Sequence, residues 1–154
     1  MTRPGDFRHR MPLRVRWAEV DRQGVVFNAH YLLYSDVCVT EYWRAVGLRY
    51  PADFEPLGSD LYVRKATVDY RAAALYDDEL DVCGRIARIG GSSLQFSVGM
   101  FRRGEAEAPL VAVDLVYVYV NAATRTPQRV DDILRARIRA FETVAPDESS
   151  SDAR

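Results

Sequence analysis

Cysteine and histidine are scarce in this 154-residue chain, with two of each. Cys38, Cys83, His9 and His30 lack metal-ligand spacing, which argues against a zinc site. Two thiols, one of them inside an apolar stretch, build no disulfide framework, so the expected setting is reducing and cytoplasmic. No segment approaches the roughly 18 consecutive apolar residues of a membrane span, and no signal-like apolar run opens the chain. Neither charge sign dominates. With 21 Lys plus Arg against 22 Asp plus Glu, the net charge is −1, and nothing calls for nucleic acid or an anionic membrane as partner. There is no GxSxG, Walker or dinucleotide-binding glycine pattern, and no internal repeat. The expected partner is a small molecule.

What is present suits one domain with a single core. Residues 1–10 are polar and Arg-rich and read as a flexible segment, residues 11–145 as the single domain, and residues 146–154 as a disordered tail. Within the domain the pattern predicts a strand over 11–20 and a long helix over 29–46, with Gly47 just past its end where a left-handed residue is expected. Strands follow over 61–70, 80–89, 92–101 and 110–120, with Gly90-Gly91 and Arg103-Gly104 as turns, which reads as a meander. A second helix over 131–144, carrying Arg135, Arg137 and Arg139, is expected as a surface cover.

Two patterns bear on architecture. Leu94, Phe96, Val98 and Met100 alternate with Gln95, Ser97 and Gly99, so that strand has one wet face, whereas 111–120 is apolar on both faces except at Asp114. In the long helix only a narrow stripe around Asp36, Thr40, Glu41 and Arg44 is polar, which predicts a buried helix. The sum is an α+β domain in which an antiparallel sheet wraps a long helix and leaves a face or edge for another copy.

Residues 17–44 carry the chemistry. Asp21 is followed by Gly24, the apolar trio Val25, Val26 and Phe27, and then Asn28, a residue type favoured at an N-cap. A carboxylate one short loop from a helix N-terminus suits an activated carbonyl, because the free N–H groups there accept a developing oxyanion. A loop carboxylate capping its own turn fits the same residues.

The order Asp21, Gly24, Val25, Val26, Phe27, Asn28, Tyr31, Tyr34, Thr40, Glu41, Gly47 and Leu48 resembles the hotdog-fold thioesterases of the 4-hydroxybenzoyl-CoA thioesterase type. The resemblance implies a hotdog fold with a C-terminal helix and a homodimer at least, with a tetramer left open. It also implies hydrolysis of an acyl-CoA or carrier-bound acyl-pantetheine thioester, with no cofactor beyond the coenzyme A of the substrate. Carried over, the catalytic carboxylate falls on Asp21, as nucleophile or general base, and the carbonyl-polarising N–H on Asn28. One branch of the family has His at that position, and here His30 stands two residues later. Gly24, Val25, His30, Tyr31, Ser92 and Arg125 are the candidate substrate contacts. For the coenzyme A phosphates the candidate cations are Arg64, Lys65, Arg85, Arg88, Arg102, Arg103, Arg125 and Arg129. Tyr50, Phe54 and Leu57 are candidates for the acyl pocket. A hotdog dehydratase acting on a β-hydroxyacyl thioester, using Asp21 with His30, and a non-catalytic acyl-thioester binding module remain the alternatives.

Overall fold

Period-2 alternation builds the sheet. In the computed structural model, which describes residues 3–105 and 107–149, the strands are β1 (His9–Arg14), β2 (Ser59–Tyr70), β3 (Glu79–Ile89), β4 (Ser93–Arg102) and β5 (Val111–Asn121). The helices are α1 (His30–Val46) and α2 (Asp132–Phe141). All pairings between these strands are antiparallel, in the order β1-β3-β4-β5-β2. Leu94, Phe96, Val98 and Met100 of β4 are buried in one core with Tyr31, Cys38, Tyr42 and Trp43 of α1. This is the expected α+β hotdog architecture, with α1 against one face of the sheet.

Four expectations need correction. The meander holds only for β3, β4 and β5, because β2 pairs with β5 rather than with its neighbour β3. The first strand starts earlier and ends sooner than 11–20, since Trp17–Glu19 forms a 3-10 turn in which the Glu19 carboxylate accepts the Arg16 backbone N–H at 2.7 Å. Within the segment expected to be flexible, Pro4–Asp6 is a 3-10 turn and Phe7 is buried on Phe101, covering Gly99; Met1 and Thr2 lie outside the described residues. The long helix is not buried all round. It has sheet on one side only, and Leu32, Leu33 and Val37 remain exposed.

The C-terminal chain locks onto β3. The Glu142 carboxylate, just past α2, accepts the Tyr42 hydroxyl at 2.6 Å and the Ile86 N–H at 2.7 Å, where a bulge interrupts the β3–β4 register. Asp147 continues the contact, donating to Ala87 and accepting from Ile89, both at 2.9 Å. Within the expected tail, Asp147 and Ser149 are therefore hydrogen-bonded to β3 and Glu148 pairs with Arg139 of α2, and residues 150–154 lie outside the described part. At the opposite edge lies the twelve-residue β2, paired with β5 on one side and with no partner strand on the other among the described residues, with Tyr62, Val63 and Tyr70 exposed.

Candidate active site

A miniature hairpin presents Asp21. Its backbone N–H donates to the Val25 carbonyl and its carbonyl accepts the Gly24 N–H, both at 2.9 Å, and Gly24 sits at φ 77°, where a side chain would be strained. The Asp21 Oδ1 accepts the Gln23 N–H at 2.7 Å, so the carboxylate does cap its own turn. Only one of its oxygens is used in that way among the described residues. Neighbouring contacts hold the hairpin in place: Val26 donates to the Ala74 carbonyl and Phe27 to that of Glu19. Burial pushes the Glu19 carboxyl up, but the hydrogen bonds from the side chain and backbone of Arg16 outweigh it and leave the group below its ordinary value.

The helix start differs from its expected form. Ala29, not Asn28, takes the N-cap position, and no side chain caps it. His30 donates to the Phe27 carbonyl and Leu32 to that of Ala29, while the N–H groups of Asn28 and Ala29 find no acceptor among the described residues. Two neighbouring free donors at the positive end of a seventeen-residue helix form a site for negative charge.

A cavity of about 330 Å³ joins the two features, lined by Asp21, Gln23, Val25, Val26, Asn28, Tyr31 and the segment from Tyr70 to Ala73. Tyr31 is nearly fully buried and its hydroxyl accepts the Ala74 N–H at 3.0 Å; burial holds that phenol above its usual range. Its ring packs edge-on against Tyr70 at 5.8 Å, and the Tyr70 hydroxyl donates to the Asn28 carbonyl at 3.2 Å.

The structure thus brings Asp21, Val25, Asn28 and Tyr31 together, with Gly24 in the supporting turn. The other candidates lie elsewhere. His30 lines a different cavity, of about 720 Å³, between β1 and α1, with Tyr34, Leu33 and Val37. Ser92 lines a basic groove of about 550 Å³ with Arg64, Lys65 and Arg88. Arg125 occupies the turn after β5 at φ 55° and lines none of these three. Arg102, Arg103 and Arg129 are engaged with Asp78 and Glu105, Glu79 and Asp81, and Asp132 respectively, and Arg85 donates to the Val144 carbonyl. Of the acyl-pocket candidates, Phe54 is core, Leu57 is exposed, and Tyr50 lines a pocket of about 160 Å³ with Trp43 and Tyr117 while bonding Asp60. The pairing of Glu41 with Arg44 along the helix is present at 2.6 Å.

Tyr70, Arg71, Ala72 and Ala73 are site residues that the sequence pattern did not single out. The signal available was the pair Ala72 and Ala73, one residue past the end of a strand, side chains small enough to leave room beside a cavity wall.

The thioesterase superfamily matches residues 23–108, more than half of the chain, taking in Gly24, Asn28, Tyr31 and Tyr70 and opening just after Asp21. The chain belongs to the thioesterase superfamily. Among relatives of this thioesterase-superfamily chain, the acyl-CoA thioester hydrolase YbgC of Escherichia coli O6:H1 is 33% identical over 110 residues, covering 68% of this chain and 81% of the relative. The acyl-CoA thioesterase YbgC of Haemophilus influenzae is 29% identical over 108 residues, with 68% and 79% covered. Among solved structures, a thioesterase of Thermus thermophilus, complexed with coenzyme A and zinc, is 28% identical with a TM-score of 0.75 over 89% of this chain and 96% of its own. In this chain no group of three or more His, Cys, Asp or Glu is arranged to hold a metal among the described residues. No helix among those residues is long and apolar enough to cross a membrane.

Proposed function

We propose that this thioesterase-superfamily chain hydrolyses an acyl-CoA or related acyl-pantetheine thioester to free acid and thiol. One observation carries the reading: Asp21 and Asn28, whose N–H finds no acceptor among the described residues, line one cavity. The thioester carbonyl oxygen accepts from the helix start, which stabilises the negative charge that develops as the carbon becomes tetrahedral. Two routes use Asp21. As a general base it takes a proton from the attacking water; as a nucleophile it bonds to the acyl carbon, expels the thiolate and forms a mixed anhydride that water then opens. In both, the C–S bond breaks and the thiolate leaves with the coenzyme.

The chain's residues supply both steps without a cofactor in this proposal, coenzyme A being part of the substrate. Val25 and Tyr31 form the wall next to the reacting carbonyl. The basic groove at Arg64, Lys65 and Ser92 is assigned to the distal phosphates, with Arg125 in the turn that leads into its Pro127 wall. The unpaired β2 edge is the surface proposed for a homodimer at least. The dehydratase reading finds no support, because His30 lines a different cavity from Asp21 and the acid–imidazole pair is not assembled within the chain.

The experiment is thiol release from a panel of aliphatic and aromatic acyl-CoAs. The expected result is turnover of at least one, with the wild-type rate lost in Asp21→Asn. Ligand-dependent thermal stabilisation with no thiol released would favour a binding module instead. Enoyl product without free thiol would favour the dehydratase.

A further inference from the structure

Glu19 is a buried carboxylate, 5% exposed, that the hydrolytic steps do not use. Burying a charge is costly unless hydrogen bonds are returned to it. Here both come from one residue, the Arg16 N–H at 2.7 Å and the Arg16 guanidinium at 3.0 Å. The guanidinium is itself largely exposed, so that ion pair contributes little. The backbone bond does more. It closes the 3-10 turn Trp17–Glu19 together with the Glu19 N–H, which donates to the Arg16 carbonyl at 3.0 Å.

That turn leads directly into the Asp21 hairpin. The Glu19 carbonyl accepts the Phe27 N–H at 2.9 Å, Val20 bridges to Val26, and the Asp21 N–H donates to Val25. Asp21 stands two residues beyond Glu19 on one leg, and Asn28 one residue beyond Phe27 on the other. Both legs are thus held from Glu19: its side chain fixes where its own backbone lies, and its carbonyl fixes where Phe27 lies, next to the Asn28 N–H.

We propose that Glu19 is a positioning residue: by accepting the Arg16 N–H it holds the Asp21 carboxylate in register with the Asn28 N–H across the hairpin. The inference rests on the reading of the Asp21 cavity as a hydrolytic site. Glu19 acts through the backbone, since it lines the cavity of Tyr34 and His30 and not that of Asp21.

The test is Glu19→Ala, assayed by thiol release from an acyl-CoA that the wild type hydrolyses. A small displacement of the hairpin predicts kcat lower by about tenfold to a hundredfold, with KM within about twofold of wild type. In the Asp21→Asn background, where the placement of the carboxylate no longer matters, the same change is expected to cost less than about threefold. A second pair leaves Glu19 in place. Arg16→Ala and Arg16→Pro both remove the guanidinium, but only proline removes the N–H, and Arg16 at φ −93° lies within about 30° of the proline value. Arg16→Ala should stay within about threefold of wild type, and Arg16→Pro should fall as far as Glu19→Ala. If Glu19→Ala does not fold, the Arg16 pair decides alone. Near wild-type kcat in Glu19→Ala, or equal rates in Arg16→Pro and Arg16→Ala, overturns the proposal. So does an equal fall with and without Asp21, which would make Glu19 a support of the fold. Failure of the hydrolytic reading itself shows up separately, as full activity in Asp21→Asn alone.

Discussion

Asp21 and Glu142 are carboxylates placed to opposite ends. Asp21 sits half-exposed on a hairpin turn, with one oxygen bonded to the Gln23 N–H and the residue lining a cavity. Glu142 is 9% exposed, and one oxygen takes both the Tyr42 hydroxyl and the Ile86 N–H. Its second oxygen is buried without a partner among the described residues, out of reach of water and substrate alike. Burial holds the Glu142 carboxyl above the usual glutamate value. A carboxylate that does chemistry needs access and a spare oxygen, whereas one that joins elements needs depth and partners. The first costs little stability to alter and much activity; the second does the reverse.

Exchanging the two kinds of damage tests this contrast. The largest effect is expected at Asp21: Asp21→Asn keeps an acceptor for the Gln23 N–H and should leave Tm nearly unchanged, while thiol release falls by about two to four orders of magnitude, as for one acid–base group. At Glu142 the pattern inverts. Glu142→Ala strands the Tyr42 hydroxyl and the Ile86 N–H in the core, a loss of about 2–4 kcal/mol readable by denaturant titration, with kcat of the folded fraction close to wild type. A similar Tm for Glu142→Ala and wild type would break the comparison.

Smaller changes sharpen it. Gly24→Ala places a side chain at φ 77°, costing about 1–2 kcal/mol of stability and shifting the Asp21 turn, so kcat and Tm should both fall. This is the one substitution expected to move both readouts. The smallest effect is a pH slope. The Glu142 carboxyl titrates above its ordinary value of 4.5 in the folded chain, so the folded state binds more protons than the unfolded one between those two values. Stability attributable to this group is therefore fully present below pH 4.5 and declines as pH rises through the folded value. In Glu142→Gln that portion of the slope should disappear from a Tm–pH series, and persistence of the full slope would assign it to other groups.

The long helix, its Gly47 end and four of the five strands could be read from apolar periodicity and turn residues, because these features are local. The Asp21–Gly24–Asn28 arrangement was legible for the same reason, being a few residues of one continuous chain. What the pattern missed is non-local. The pairing of β2 with β5 follows from no turn signal, and it is this pairing that fixes the path of β2 to the Tyr70 end, beside Asn28. Glu142 looked like the end of a surface helix, and its bond to the Ile86 N–H, on a stretch of β3 past the end of its pairing with β1, is a contact between distant parts of the chain. Asn28 was expected as the cap because of its residue type; the chain instead turns one residue later at Ala29, and the N–H groups of both find no acceptor among the described residues.

The most direct measurement of the central claim is a single-turnover experiment on Asp21→Asn mixed with an acyl-CoA that the wild type hydrolyses, following binding and thiol release separately. The thioester is expected to bind with a Kd close to the wild-type value, while release slows by about two to four orders of magnitude. Binding with release at the wild-type rate would contradict the assignment of Asp21 as the reacting carboxylate.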